Sequence, residues 1–180
     1  MRPHLSMSRR TRRTPFSSRV EAAGASGYTV YNHTLLATSF RGIEVDYWHL
    51  CENVQVWDVS CEKQVTLMGP GANELAQYMT PRDLSQAKVG RCYYLPMCDE
   101  NGKMMNDAVA IKVNDRHWRL SVADSDVLLW AKGLAIGFGL DVEVREPDIF
   151  PVAVQGPKAE ELMCRVFGDE IKALGFFAIA

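Results

Sequence analysis

The chain has 180 residues, 47% of them hydrophobic, enough for one sizeable core, which excludes collagen-like and disordered classes. No stretch is apolar for long enough to span a bilayer, and the basic leader MRPHLSMSRRTRRTPF has no apolar run behind it, so neither a membrane span nor an export signal is expected. The net charge of -2 hides six arginines within residues 1–19, which leave 14 basic against 22 acidic residues in the remainder.

That arginine run lacks the interleaved aromatics of a nucleic-acid surface, so residues 1–19 read as a solvated basic arm that pairs with acidic neighbours, ahead of a folded body over residues 20–180. GYTVYN reads as extended, and GIEVDYWHLCEN as a helix with Val45, Trp48 and His49 or Leu50 at helical spacing. VQVWDV and KQVTLMG alternate like two strands paired with each other. GPGANELAQYMT follows as a helix, ended by the turn signal TPRDL.

RCYYLPM, the turn DENGK, MMNDAVAIKV, the turn ND and HWRLSV then read as an antiparallel meander. ADSDVLLWAKGLAIGFG predicts a helix capped by Asp124 or Ser125, ending at Gly137 or Gly139 and apolar enough to be mostly buried. DVEVREP and FPVAVQG are strands, and PKAEELMCRVFG is an amphipathic helix with Pro157 at its first position. The fold class is α+β.

Val65–Ala76 and Val152–Met163 share the pattern V-x-x-x-G-P-x-A-x-E-L at an offset of 87 residues. Glycine permits a tight exit from a strand and proline presets the first helical turn, so both copies predict a strand running into a helix. The pattern lacks the glycine-rich fork and Lys-Ser/Thr pair of a phosphate loop.

Cys51, Cys61, Cys92, Cys98 and Cys164 are odd in number and contain no C-x-x-C, and the four histidines are scattered. Reduced thiols in a cytoplasmic protein are expected, with no disulfide framework and no metal site. Nucleophile-elbow, P-loop, H-E-x-x-H and dinucleotide motifs are absent from the sequence. The polar candidates within structured segments are Asp58, Ser60, Tyr93, Tyr94, Asn106, Asp107, Ser121, Asp124 and Gln155. Each has a competing structural role, as a turn or helix cap or as a core tyrosine with a wet hydroxyl. Asn106 and Asp107 stand out because burying an amide or a carboxylate is costly unless it is hydrogen-bonded or held for chemistry.

WDVSCEKQVTLMGPGA, DENGKMMNDAVAIKV and VAVQGPKAEELM resemble the aminomethyltransferase (glycine cleavage T-protein) family of tetrahydrofolate enzymes. RRTPFSSRVEAAGASGYTVYNHTLL, NVQVWDV, TPRDLS, GRCYYLPMCDENGKMMND and LSVADSDVLLWAKGLA extend the resemblance, from about Met7 to the last residue, to the branch that demethylates dimethylsulfoniopropionate. The resemblance implies a folate-binding domain with antiparallel sheets, a strand–helix pseudo-repeat and packed helices. It implies methyl transfer from dimethylsulfoniopropionate to tetrahydrofolate, giving methylmercaptopropionate and methyltetrahydrofolate. The alternatives are an aminomethyltransferase of glycine cleavage and a non-catalytic partial folate-binding module.

By the same resemblance, Asn106 and Asp107 are catalytic, Tyr94 joins them in binding folate, and Ser121 with Tyr94 binds the substrate. The family usually carries aspartate at the position of Asn106. An amide suits a sulfonium donor, whose thioether leaves neutral and needs no proton. Asp107 then either stabilises the sulfonium charge or anchors the turn, and Ser121 either meets the substrate carboxylate or bonds its own backbone. A small-molecule substrate is expected, without a metal, nucleic acid or membrane, and a homodimer is left open. Members of the family are longer, and ALGFFAIA reads as a strand beginning, so the chain is expected to be the N-terminal portion of such a protein, starting at Met7.

Overall fold

Alternating apolar residues, punctuated by Asn-Gly, Gly-Pro and Asn-Asp turns, give nine strands among the described residues, interleaved with helices. The structure, a computed structural model, describes residues 10–180; the expectations for Met7 and for the arginines at positions 2 and 9 lie outside them. In chain order the elements are α1 (Ser17–Ala22), β1 (Gly27–Tyr31), β2 (Thr34–Ser39), α2 (Ile43–Glu52), β3 (Gln55–Asp58), β4 (Gln64–Met68) and α3 (Ala72–Tyr78). They continue as β5 (Arg91–Cys98), β6 (Met104–Asn114), β7 (His117–Ser121), α4 (Val127–Gly137), β8 (Glu143–Arg145), β9 (Val152–Gln155) and α5 (Ala159–Phe167), followed by a 3-10 helix (Asp169–Ala173).

The elements form two compact units, one of residues up to Cys61 with Phe150–Val166 and one of Glu62–Ile149 with Phe167–Ala180. The second holds a five-stranded antiparallel sheet in the order β5-β6-β7-β4-β8. Its meander β5-β6-β7 is the one predicted. At the first hairpin, Gly102 takes a positive φ of 75° while the Asp99 carboxylate accepts the Asn101 and Lys103 amides at 2.9 and 2.8 Å. Val65, Leu67, Leu95, Met97, Ala108, Ala110, Trp118 and Leu120 form the buried face of the sheet, joined in the core by Leu75 and Ala76 of α3 and Ala131 of α4. The Trp118 indole donates to Asn73 Oδ1 at 2.7 Å, so the largest core side chain leaves no buried donor unmet.

Four expectations need correction. VQVWDV and KQVTLMG do form strands, but β3 pairs with β9 and β4 lies between β7 and β8. Alternation identifies a strand and its faces, whereas the partner is set by which apolar faces are buried together. The α4 helix is only one-sided in its burial. Val127, Ala131 and Ala135 are buried at a four-residue spacing, while Leu129 and Ile136 are 64% and 81% exposed. Its N-cap residue is Asp126, because the Ser125 hydroxyl is engaged by Asn106. Pro157 lies in the turn two residues ahead of α5.

In the first unit β1 and β2 form a hairpin whose turn residues Asn32 and His33 have φ of 47° and 58°, the left-handed geometry that suits a two-residue turn. The α1 and β2 elements are additional to those predicted. Arg13 pairs with Glu21 of α1. Among the described residues of this unit the buried ones are Asn32, Thr34, Ser60 and Cys61, and no aliphatic or aromatic side chain is fully buried. In the second unit ALGFFAIA contributes a single bridge, Ala178 to Arg91, instead of a strand.

Candidate functional site

Successive residues of a strand point to opposite faces of a sheet, so β6 separates Asn106 from Asp107. Asn106, 5% exposed, faces the core. Its Nδ2 donates to Ser125 Oγ at 2.8 Å and its Oδ1 accepts the Ala123 amide at 3.2 Å. Both ends of the amide are thus engaged, and the cost of burying it is offset by holding residues 123–125 against β6. Asp107 points to the opposite, open face.

On that open face the register runs Tyr94–Val109–Ser121–Gln64 across β5, β6, β7 and β4. Neighbouring strands lie about 4.8 Å apart, so the row is about 14 Å long. Asp107 sits two residues along β6, opposite Pro96. Tyr94 is 40% exposed, and its carbonyl accepts a bond from Arg82 at 3.0 Å. Ser121 Oγ accepts from Gln64 Nε2 at 2.8 Å and also bonds the Glu62 carboxyl, so the hydroxyl is engaged by side chains. Partial desolvation pushes the Glu62 carboxyl above its ordinary value, although the residue as a whole is exposed; the Ser121 hydroxyl opposes that shift and the Asp107 charge adds to it.

The fold therefore brings Tyr94, Asp107 and Ser121 onto one surface and leaves Asn106 behind it. Glu62 joins that surface, and Gln64 lies on the same face but is buried at 4% exposure, holding Ser121; neither stood out in the sequence. The available signal was their polarity at the entry of an otherwise apolar strand, in SCEKQVTLM.

The remaining polar candidates have structural partners. Asp58 Oδ1 accepts the Ser60 amide at 3.1 Å and Oδ2 the Thr14 hydroxyl, while Ser60 Oγ donates to the Pro151 carbonyl at 3.2 Å. Tyr93 OH accepts the Lys88 amide at 2.6 Å, and its ring meets Trp118 edge-on at 6.1 Å. Asp124 is exposed ahead of α4, and Gln155 pairs with Gln55 across β9 and β3. Among the described residues no cluster of three or more His, Cys, Asp or Glu could hold a metal ion, and no helix is long and apolar enough to cross a membrane.

An exposed ring, two carboxylates and a hydroxyl on one face of the sheet can hold a planar heterocycle with donor and acceptor edges, or a small cation beside it. Residues 16–180 match the family defined by the GCVT N-terminal domain. A dimethylsulfoniopropionate demethylase of Ruegeria pomeroyi is 53% identical over 170 residues, covering 94% of this chain and 47% of the relative. An aminomethyltransferase of Natranaerobius thermophilus is 30% identical over 146 residues, covering 79% of the chain and 40% of the relative. The glycine cleavage system aminomethyltransferase T of Bartonella henselae has the same fold, with a TM-score of 0.83 at 20% identity, over 93% of this chain and 46% of that one. The chain spans about half the length of the relatives it matches.

Proposed function

The chain belongs to the GCVT N-terminal domain family, and on that premise we propose that it serves methyl transfer from dimethylsulfoniopropionate to tetrahydrofolate, giving methylmercaptopropionate and methyltetrahydrofolate. The observation that carries this reading is the 53% identity, across 94% of the chain, to a demethylase of that substrate. Aminomethyl transfer has weaker support, because the relatives bearing that name are near 30% identical or below.

The open face of the sheet fits a folate. The Tyr94 ring offers a flat surface, and Asp107 offers acceptors to the N–H edge of a pterin. When bound, tetrahydrofolate supplies a ring nitrogen as methyl acceptor. Asp107 and Glu62 make this end of the surface acidic, which attracts and orients a sulfonium. The Tyr94 face adds cation–π attraction of about 0.5–2 kcal/mol, depending on desolvation. The S–CH3 bonding pair leaves with the neutral thioether, so these residues need not deliver a proton to it; the proton displaced from the acceptor nitrogen passes to solvent, and the catalytic work lies in alignment. Asn106 acts as a positioning residue, through the 123–125 segment that it holds. Ser121 lines the same end; to meet a carboxylate it would have to withdraw its proton from Glu62.

None of the five cysteines is paired in a disulfide, as suits a cytoplasmic setting, and small molecules are the partners this surface suits. The test is to incubate the chain with tetrahydrofolate and dimethylsulfoniopropionate and to follow methyltetrahydrofolate by mass spectrometry. Product is expected from the unaltered chain and at least tenfold less from Asp107→Ala; absence of product from the unaltered chain sinks the reading for these residues.

A further inference from the structure

Among the described residues, two buried side-chain polar atoms lack a hydrogen-bond partner, Nε2 of His117 and Nε of Arg119. Both belong to β7 and, two positions apart, both point to the open face that carries Ser121, opposite the buried Trp118 and Leu120. Two such atoms side by side call for an explanation, and a functional role is one of those open to buried polar groups.

The neighbours indicate its charge. In register, Thr66 of β4 lies between Arg119 on β7 and Arg145 on β8, so two arginines flank one buried threonine. Met68 lies in the next row, between His117 and Glu143. Thr66 Oγ1 is turned to the Arg145 carbonyl at 3.2 Å. The nearest competitor is Glu143, whose contact with Arg145 is loose at 3.5 Å, with both side chains more than half exposed. Burial, and then the charges of Arg119 and Arg145, hold the His117 pKa below its ordinary value, as expected where positive potential is uncompensated.

We infer that Arg119, assisted by Arg145 and His117, forms a carboxylate-binding site on this face. The inference rests on the reading of the face as a methyl-transfer surface, and it names what holds the far end of the zwitterionic donor. Glu62 and Asp107 make one end of the surface acidic, and Arg119 and Arg145 make the other basic. Ser121 and Arg119 are two residues apart on one strand, about 7 Å, a span suited to a sulfonium and a carboxylate joined by two methylenes. A guanidinium binds a carboxylate through two parallel N–H bonds, and the Arg119 Nε–H is a donor with no acceptor. The folate acceptor also carries carboxylates, so the test must tell the two sources apart.

Isothermal titration of the chain with each ligand alone, so that no methyl is transferred, provides it, using dimethylsulfoniopropionate, 3-(methylthio)propionate, tetrahydrofolate, tetrahydropteroate and trimethylsulfonium, a cation with no carboxylate. Arg119→Gln is expected to weaken both carboxylates at least tenfold and to leave trimethylsulfonium unchanged, with partial recovery in Arg119→Lys. Arg145→Gln, at an exposed position where folding is not at stake, is expected to weaken them about threefold. Unchanged carboxylate binding in Arg119→Gln and Arg145→Gln, or no carboxylate binding by the unaltered chain, overturns the inference. Weakening confined to tetrahydrofolate, and absent with tetrahydropteroate and the propionates, overturns the donor assignment and gives the site to the acceptor. Propionate binding that depends on Arg119, in a chain that forms no methyltetrahydrofolate, keeps the site and removes the proposed reaction.

Discussion

In the first copy of the strand–Gly-Pro–helix unit, Val65–Ala76, the side chains of Val65, Leu67, Ala72, Leu75 and Ala76 are all buried. In the second, Val152–Met163, Val152 is 42% exposed and α5 buries no residue. The backbone exit is nonetheless shared. Gly69 and Gly156 both leave their strands with positive φ, 136° and 114°, and both face a backbone carbonyl that a Cβ would strike, that of Asp141 for Gly69 and that of Asn53 for Gly156. One sequence pattern therefore determines the turn in both places and the burial in neither. The turn is a matter of φ and local sterics, whereas burial depends on what the rest of the unit supplies: β4 is flanked by two strands and β9 by one.

The strongest challenge to this contrast is truncation of the matching leucines. Leu75→Ala should cost about 2–5 kcal/mol, and Leu162→Ala, at a half-buried position, about 1 kcal/mol. Equal losses in denaturant melts would refute the difference. The glycines test the shared part: Gly69→Ala and Gly156→Ala should each cost on the order of 1–3 kcal/mol despite their different surroundings. Tolerance of either one would show that its exit does not require glycine.

The same contrast recurs between adjacent residues. Asn106→Ala removes its bonds to the Ala123 amide and the Ser125 hydroxyl and should cost about 1–3 kcal/mol, while Asp107→Ala, on the open face, should change stability by less than about 0.5 kcal/mol. Equal thermal shifts for the two would argue that Asn106 does not hold the segment.

The smallest expected effect is in pH dependence. Three residues ahead of the first copy stands Glu62; three ahead of the second stands Ile149. Burial raises the folded-state pKa of Glu62 above 4.5, so the native chain binds more protons. Its contribution is present below pH 4.5 and lost as pH rises through the raised value. Glu62→Gln should therefore gain stability relative to the unaltered chain as pH climbs through that window. At the far end of β4, opposite Met68, His117 works in the reverse sense: its folded pKa lies below 6.5, so its contribution is present above pH 6.5 and lost as pH falls through the lowered value. His117→Gln should flatten that acid limb in melts recorded against pH.

Much of this was legible in the residues. Asp-Glu-Asn-Gly-Lys and Asn-Asp turns bounding alternating runs define the meander, and Gly-Pro followed by Ala and Leu defines both strand-to-helix exits. The resemblance of three quoted segments pointed to the family, and Tyr94, Asp107 and Ser121 do lie on one face of the sheet. The pairing of β3, the one-sided burial of α4, the withdrawal of Asn106 into the core, and the presence of Glu62 and Arg119 on the candidate surface were not legible.

The sequence by itself determined the turns, the strand and helix types and the family, because those depend on dihedral preferences and residue patterns within a few positions. Only the tertiary structure decided which residues meet. Ser121 bonds Gln64 across a separation of 57 residues, and Thr66 comes to lie between Arg119 and Arg145. Such register is set when whole apolar faces are buried together, and a single strand carries no mark of its partner.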